Sequence, residues 1–304
     1  MQILSLLAPL VIAAAVAVAS SSPAPVPDLT HVLAGNKNLT SINELIHKYG
    51  DLYATLSFTE GITLLAPSND AFNKIPYSAL RDAFETNDTA VIRAILDYHV
   101  INGTHTTASF SSNFQFLPTW LNNASYTNVT GGAVVSVVKQ AGDDVVFVSG
   151  EGDRSSLSTA DILYTGGVIQ VIDTFLIPPE TFLSTVPTFN LTSAGGLATK
   201  AKLDDYLDTT EDLTIFAPSN DALEGIGSGL EDMTVQELAE LFSYHVVNGT
   251  IGYSAALPNG TILKSLQGGN LTVRFGSNSL YVNSAKIIQQ DILLANGVMH
   301  VIDK

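Results

Sequence analysis

The sequence predicts an α+β protein in which one module occurs twice in tandem. Three strings support this prediction, because each occurs twice and in the same order along the chain. The pairs are APSNDA at 66–71 and 217–222, YHVINGT at 98–104 with YHVVNGT at 244–250, and GVIQVID at 167–173 with GVMHVID at 297–303. In each copy, segments with helical periodicity precede β-rich segments, and 304 residues suit about two domains.

The N-terminus has the pattern of a secretory signal peptide, which we predict for residues 1–19. Leu4 to Ala19 is almost wholly apolar, and Ala17-Val18-Ala19 fits the small-x-small cleavage pattern. A transmembrane anchor is the alternative, but the apolar run is short for a span and no basic cluster follows it. Residues 20–27, rich in Ser and Pro, are predicted to form a flexible leader.

Sequons of the form N-x-[ST] follow the signal segment and indicate a secreted glycoprotein. Several of them double as turn sequences, so we expect more than half of them, but not all, to carry glycans. The nine sequons begin at Asn38, Asn87, Asn102, Asn123, Asn128, Asn190, Asn248, Asn259 and Asn270.

The composition argues against several classes of function. The chain has no cysteine, which excludes thiol catalysis, zinc–thiolate sites and disulfides and leaves stability to the apolar cores. The formal net charge of −16 disfavours nucleic acid and anionic membranes as partners. No EF-hand-like run is present, and we predict neither a metal nor a cofactor.

Each copy is predicted to begin with an amphipathic helix. In the first copy Ser41–Glu44 fits a capping box. The apolar residues that follow at helical spacing are Ile42, Leu45, Ile46 and Tyr49. In the second copy Leu197–Leu207 is predicted to have the same role.

The APSNDA string is interpreted as a junction between a buried strand and a helix. The strands are Thr63–Leu65 and Thr214–Phe216, and Pro67 and Pro218 end them because proline cannot continue a ladder. Residues suited to the N-cap and first helical turn come next: Ser68, Asn69, Asp70, Ser219, Asn220 and Asp221. This structural role is sufficient to explain the string.

A second helix is predicted before each YHV string, and each histidine ends its apolar face. In the first copy the face consists of Ile92, Ile95, Leu96 and His99. In the second copy it consists of Leu238, Leu241, Phe242 and His245, after a capping box at Thr234 and Glu237. We expect each imidazole to donate to a free carbonyl at the helix C-terminus rather than to bind a ligand.

The rest of each copy is predicted to be β-rich. In the first copy His105–Thr130 is expected to be an extended loop, and the strands follow it. In the first copy these strands are Val134–Val138 and Val145–Val148. In the second copy they are Asn270–Phe275 and Ser279–Val282, with Gly276-Ser277-Asn278 as the turn between them. Each copy then ends in a hairpin. The arms of the first hairpin are Asp161–Tyr164 and Val168–Ile172. The arms of the second are Asp291–Leu294 and Val298–Ile302, with Asn296-Gly297 as the predicted turn.

The three ordered landmarks resemble the fasciclin-like (FAS1) domain in two copies. The strand with APSNDA resembles the first box of that family, the YHV string its central Tyr-His motif, and the ADIL and QDIL segments before GV-VID its second box. The resemblance covers the chain from about Asp28 onward. It implies two tandem FAS1-like modules, each a helical layer packed on a β-wedge or sandwich-like core.

The resemblance also implies an extracellular protein of adhesion, matrix organisation or cell-wall association. In animal members the Asp-Ile pair and the Tyr-His region are linked to integrin binding. The matching residues here, taken as candidate partner-binding residues, are Asp161, Ile162, Asp291, Ile292, Tyr98, His99, Tyr244 and His245. Gln170 stands where the second copy has His300, so that histidine is not a repeated ligand.

We expect the first domain at 28–183, a linker at 184–187 and the second domain at 188–304. The first copy continues through Thr174–Pro179, which is expected to complete a strand, whereas the second reaches Lys304 directly after its box. The second module is therefore expected to lack its last strand, unless the sequence is a fragment. No hydrophobic tail of a glycolipid anchor is seen, so this form is expected to be released.

Adhesion or matrix binding to surface proteins or polysaccharides is the first hypothesis for function. A soluble carrier of a small apolar ligand or lipid is the alternative. A glycan hydrolase is the third, with paired acidic residues such as Asp143-Asp144 or Asp204-Asp205, although solvated turns explain them better. No catalytic constellation is found, so the chain is predicted not to be an enzyme.

Overall fold

The structure is a computed structural model that describes residues 25–276 and 279–304. The predicted signal peptide, most of the predicted leader, and the predicted turn at Ser277-Asn278 lie outside these residues. The described chain forms two tandem α+β modules, each with a helical layer on a seven-stranded sheet. Within this part of the chain, no helix has the length and apolarity to cross a membrane.

The first module contains six helices and seven strands among the described residues. The helices are α1 (Leu29–Gly35), α2 (Thr40–Lys48), α3 (Gly50–Phe58), α4 (Asn69–Lys74), α5 (Arg81–Glu85) and α6 (Thr89–Tyr98). The strands are β1 (Ile62–Pro67), β2 (Val100–Asn102), β3 (Gln115–Pro118), β4 (Val134–Lys139), β5 (Val145–Val148), β6 (Arg154–Tyr164) and β7 (Gly167–Ile172).

The second module repeats this order. Its helices are α7 (Phe182–Thr185), α8 (Thr192–Lys200), α9 (Asp204–Thr209), α10 (Asn220–Glu224), α11 (Gly227–Glu231) and α12 (Val235–Ser243). Its strands are β8 (Leu213–Pro218), β9 (Val246–Val247), β10 (Ile262–Lys264), β11 (Asn270–Gly276), β12 (Ser279–Val282), β13 (Ala285–Leu294) and β14 (Gly297–Ile302). The predicted strands of both copies are thus confirmed, except for the one expected at Thr174–Pro179.

The two sheets have the same strand order. In the first the order is β2-β1-β7-β6-β5-β4-β3, and in the second β9-β8-β14-β13-β12-β11-β10. The first strand of each module pairs in parallel with its last strand, and the other pairs are antiparallel. Gly167 and Gly297 begin these last strands, and a Cβ at either would lie 1.9 Å from a carbonyl oxygen of the parallel neighbour. Only glycine therefore fits there.

Helices α4 and α10 begin as the APSNDA interpretation predicts. Ser68 and Ser219 are the N-caps, and each accepts a hydrogen bond from the alanine N–H three residues later. Asn69 and Asn220 act between helices instead, since each side-chain oxygen accepts from a backbone N–H at the start of α2 or α8, at 3.0 Å. These bonds fasten α2 and α8 to the strand-to-helix junctions of their modules.

The helical predictions are partly corrected. The Ser41–Glu44 capping box is wrong, because α2 has Leu39 at its N-cap without a side-chain bond, and Asn69 binds the Ser41 N–H. The second copy has two helices where one was predicted, since Lys202 adopts a left-handed conformation (φ 57°) between α8 and α9. The capping box at Thr234 and Glu237 is confirmed.

Four loop predictions are also corrected. The predicted linker 184–187 overlaps α7, where Phe182 and Val186 are buried in the core of the second module. We therefore call residues 28–181 the first module and 182–304 the second. The extended loop His105–Thr130 contains β3. Thr174–Pro179 forms no strand, and each sheet already has seven. The turn of the last hairpin is Ala295-Asn296, because Gly297 pairs with Leu294.

The two modules pack against each other. A loop of the first module, residues 119–133, lies against the second, and Asn128 donates its backbone N–H to the carbonyl of Ala295 at 2.7 Å. Near this loop the ring of Phe116 stacks on that of Tyr253, with 4.1 Å between centroids. The interface therefore combines backbone hydrogen bonds with an aromatic contact.

Candidate functional site

The two Asp-Ile pairs lie at matching irregularities in the sheets. Asp161 and Asp291 each sit where the last antiparallel hairpin shifts register, and both have a positive φ, of 56° and 60°. Aspartate tolerates this left-handed conformation better than most residues. The bulge turns each carboxylate away from the ladder and towards a neighbouring loop.

In the first module the carboxylate of Asp161 caps a short 3₁₀ turn, Thr107–Ser109. It accepts from the Thr107 N–H at 2.9 Å and from the Thr107 hydroxyl at 2.5 Å. Gln170 completes the site: its side-chain nitrogen donates to Asp161 Oδ1 at 2.7 Å and to the His105 carbonyl at 2.9 Å, and its oxygen accepts the Asp161 N–H. The N–H and both carboxylate oxygens of Asp161 are thereby paired.

Partial burial alone would raise the pKa of Asp161. The hydrogen bonds from Thr107 and Gln170 outweigh that effect and hold the pKa of this carboxyl below its usual value. The Asp161 carboxylate is therefore ionised at neutral pH, and its hydrogen bonds go to groups of the same module.

The second module builds the same arrangement with different side chains. Asp291 Oδ1 accepts from the Ser254 N–H at 2.8 Å, and its other oxygen accepts from the Ser254 hydroxyl. His300 stands in the place of Gln170: its Nδ1 accepts the Asp291 N–H at 3.2 Å, and its Nε2 donates to the Gly252 carbonyl at 2.8 Å. This pattern requires the neutral imidazole, and burial lowers the pKa of His300 despite the attraction of Asp291.

The isoleucines of the two pairs face inward. Ile292 is buried in the core of the second module, and Ile162 packs half-buried against the core of the first. The residue that follows the first pair, Leu163, is 53 % exposed. The apolar surface offered beside Asp161 thus comes from Leu163 rather than from the isoleucine.

In the first module the Tyr-His pair is part of the core. Tyr98 is fully buried and donates its hydroxyl to the Val134 carbonyl at 2.7 Å. His99 is also buried, and its Nδ1 donates to the Ile95 carbonyl at 2.7 Å while its Nε2 accepts from the Leu176 N–H at 2.9 Å. The prediction that the imidazole binds a helix carbonyl is confirmed. Burial lowers the pKa of His99 to about 4, and neither side chain is placed to contact a partner.

The second Tyr-His pair is half-buried. His245 Nδ1 donates to the Leu241 carbonyl at 2.9 Å, and the Tyr244 hydroxyl accepts from Asn283 at 2.9 Å. Burial lowers the pKa of His245 as well. Both residues line a cleft of about 230 Å³ between α12 and the sheet, so this pair is more accessible than the first.

A larger opening lies between the modules, beside Asp291. It measures about 290 Å³, and its walls come from both modules. The lining residues are Ser112, Asn113, Phe114, Ser254, Ala255, Phe275 and Gln290. Ser254, which Asp291 holds, forms part of the wall, and Phe275 is 55 % exposed. The Asp291 carboxylate therefore holds one residue of the cleft wall, Ser254, in place.

Sequence reasoning missed Thr107 and Ser254, the partners of the two aspartates. Thr107 is 54 residues from Asp161, and Ser254 is 37 residues from Asp291. The alignment of Gln170 with His300 was visible, but its meaning was not: each side chain accepts the aspartate N–H and donates to a loop carbonyl, and the amide also donates to Asp161. No group of three or more His, Cys, Asp or Glu side chains suited to a metal is found in the described part of the chain.

Comparison with known proteins adds the family. The model of the Fasciclin domain matches residues 37–178 and 189–304, which is most of the chain. A fasciclin-like arabinogalactan protein of Arthroderma benhamiae is 29% identical over 265 residues, and the match covers 87% of this chain but only 62% of that protein. The fasciclin-like arabinogalactan protein CTB11 of Cercospora beticola is 27% identical, with 96% and 79% covered. A solved FAS1 domain pair from the insect cell adhesion molecule fasciclin I aligns with a TM-score of 0.41 at 19% identity, over 88% of this chain and 96% of that one.

Proposed function

Because the chain belongs to the fasciclin domain family, we propose that it is a secreted adhesion or matrix glycoprotein. Its two modules bind a cell-surface or matrix protein, or a cell-wall polysaccharide. The family membership supports the adhesive role, and its fungal relatives are named as fasciclin-like arabinogalactan proteins. The surface charge of a chain with net charge −16 argues against nucleic acid as the partner.

The intermodule cleft beside Asp291 is the observation that carries the binding proposal. It combines an exposed aromatic ring, Phe275, with amide groups from Asn113 and Gln290. Aromatic side chains next to hydrogen-bonding groups are frequent in protein interfaces and give much of their binding energy. Since both modules supply walls, the pair presents a surface that neither module has alone.

In this proposal the Asp-Ile aspartates act as positioning residues. Asp291 holds Ser254 at the wall of the cleft, and Asp161 holds the turn at Thr107 in the first module. Their carboxylates are used within the protein, so we do not expect them to bind the partner directly. Mutation of either aspartate would alter binding through the loop it holds.

Secretion and glycosylation belong to the same proposal. The asparagines of eight of the nine sequons are exposed, and only Asn128 is half-buried. Exposed side chains on an extracellular chain are suitable acceptors for N-linked glycans. Peptide mass spectrometry of protein secreted from a eukaryotic host tests this directly, since a chain without glycans at the exposed sequons would contradict it.

The binding test is retention of the secreted protein on cell-wall and membrane fractions. We expect Phe275→Ala with Gln290→Ala to weaken retention about tenfold, as loss of an aromatic contact does in other interfaces. The matched control is Tyr77→Ala in the first module, because Tyr77 is 92 % exposed and lies away from the cleft. Equal retention of wild type and the cleft variant would exclude this cleft, and no retention of wild type would refute the adhesive role.

The alternative, a carrier of a small apolar ligand, is favoured by one observation. A cleft of about 480 Å³ lies among the helices of the second module, a size typical of ligand sites. Its apolar lining is Leu197, Leu223, Leu230 and Leu238. Gly196 also lines it, and a Cβ there meets nothing within 4 Å, so Gly196→Leu would direct a larger side chain into the cleft from an unobstructed position. Native mass spectrometry should show a bound molecule that this variant lacks, and a wild-type protein without any bound molecule would rule out the carrier.

A further inference from the structure

The sequon Asn128-Val129-Thr130 lies on the loop by which the first module contacts the second. The side-chain nitrogen of Asn128 donates to the Thr209 carbonyl at 3.0 Å, and its backbone N–H donates to the Ala295 carbonyl at 2.7 Å. Its carbonyl accepts from the Asp212 N–H at 3.4 Å. The side-chain nitrogen, the backbone N–H and the backbone carbonyl of Asn128 are therefore all bonded to the second module.

The last residue of the sequon is bound in the same way. Thr130 donates its N–H to one carboxylate oxygen of Asp212 at 2.8 Å and its hydroxyl to the other at 2.6 Å. Asp212 has a φ of 53°, a conformation that turns its carboxylate towards the loop. The first and last residues of the sequon are thus both hydrogen-bonded to the second module, and Val129 between them is buried.

The other sequons differ from this one. All nine asparagines lie in the described part of the chain, and Asn128 is the only one that is not exposed. It is also the only one of the nine whose side-chain nitrogen makes a hydrogen bond within the protein. Asn123, five residues earlier on the same loop, is exposed and uses its side-chain oxygen to accept from Ser125.

From this geometry we infer that a glycan on Asn128 and the packed arrangement of the modules exclude one another. N-glycosylation joins the anomeric carbon of the sugar to Nδ2, which loses a proton, while the lipid-linked oligosaccharide donor releases its pyrophosphate carrier. The sugar then needs space around the nitrogen that faces Thr209. In the packed pair that nitrogen lies 3.0 Å from the Thr209 carbonyl of the second module, and Asn128 is only half-exposed.

A glycan reaches Asn128 only if the chain is secreted, so the inference rests on the proposed function. Transfer to Asn128 is possible only while the loop is apart from the second module, so the chain divides into two populations. Unmodified chains have packed modules, and chains with a glycan at Asn128 have separated modules. The intermodule cleft of the proposed binding site exists only in the first population.

A labelling experiment tests the exclusion without the secretory route. The chain has no cysteine, so Asn128→Cys and Asn123→Cys each introduce one thiol in protein made without glycosylation. We expect a maleimide with a bulky polymer to react at position 128 about tenfold more slowly than at position 123, because reaction requires the modules to separate. Small-angle scattering should then show a larger radius of gyration for the chain labelled at 128 and an unchanged one for the chain labelled at 123.

Two outcomes would overturn the inference. One is equal reaction rates at the two positions. The other is a chain labelled at 128 that stays as compact as unlabelled protein, with unlabelled Asn128→Cys as the reference for folding. In secreted wild type, hydrogen exchange gives a parallel test: the Asn128 peptide that carries a glycan should exchange faster than the same peptide without one. Absence of glycan at all nine sequons of the secreted protein would refute the proposed glycosylation, whereas the labelling result would still decide the exclusion.

Discussion

In the first module the bulge at Asp161 is held by Gln170, and in the second the bulge at Asp291 is held by His300. The amide accepts the aspartate N–H through its oxygen and donates through its nitrogen to the His105 carbonyl. The imidazole does the same with its two nitrogens, donating to the Gly252 carbonyl. The comparison teaches that the repeat preserves a pattern of donors and acceptors rather than a residue type. It also teaches that only one of the two solutions can be changed by protonation.

Removing the hydrogen-bonding side chain from either module gives the largest expected effect. Gln170→Leu or His300→Leu leaves the aspartate N–H and a loop carbonyl buried without partners. At ~1–3 kcal/mol for each of the two groups, we expect a loss of about 2–6 kcal/mol in the free energy of unfolding. Chemical denaturation followed by circular dichroism measures it.

The matched control is His300→Gln, which copies the first module. It keeps both a donor and an acceptor, so we expect it to cost under about 1 kcal/mol at neutral pH. If His300→Leu is as stable as His300→Gln, the imidazole has a packing role only and the equivalence of the two modules fails.

Acidification gives the next largest effect, a loss of folding stability that comes from different histidines in the two modules. Burial lowers the pKa of His99 from 6.5 to about 4, so the unfolded chain binds a proton more readily than the folded chain between these values. Stability that is fully present above about 6.5 is therefore lost as the pH falls to about 4, by roughly 3 kcal/mol from this residue. The lowered pKa values of His245 and His300 act in the same direction in the second module.

Reciprocal variants sharpen this prediction. His300→Gln should reduce the acid sensitivity of the second module, and Gln170→His should add acid sensitivity to the first. Urea denaturation at pH values from 7 to 4 follows both, against wild type. Unchanged pH profiles in both variants would contradict this prediction, because they would mean that the pKa at this position is the same in the folded and the unfolded chain.

The helix caps give the smallest effect. Helix α6 begins with Asp88, which accepts from the N–H groups of Ala90 and Val91, whereas α12 begins with the reciprocal box of Thr234 and Glu237. Asp88→Ala and Thr234→Ala should each cost about 1 kcal/mol. A loss at Thr234 several times that at Asp88, in thermal denaturation, would mean that the two helices contribute unequally to their modules.

Local patterns were predictable from the sequence, and long-range contacts were not. The order of elements followed from the repeats, and the Thr234 box and the histidine bonds to helix carbonyls were correct because their partners lie three or four residues away. The Ser41 box was wrong because Asn69, 28 residues later, supplies the bond instead. The partners of the aspartates and the contacts of the Asn128 loop join residues 37 to 168 positions apart, which no local pattern specifies. Burial of Tyr98 likewise depends on how the sheet closes over α6.

The chain carries a single tryptophan, Trp120, and it lies in the first module. Its indole N–H donates to the side chain of Asn102 at 3.0 Å, and its ring packs half-buried against the core of that module. Its fluorescence therefore reports on the first module and on the loop 119–133 that contacts the second, while circular dichroism averages over both modules. Any difference between the two melting curves would be an optical measure of how independently the modules unfold, obtained without a label.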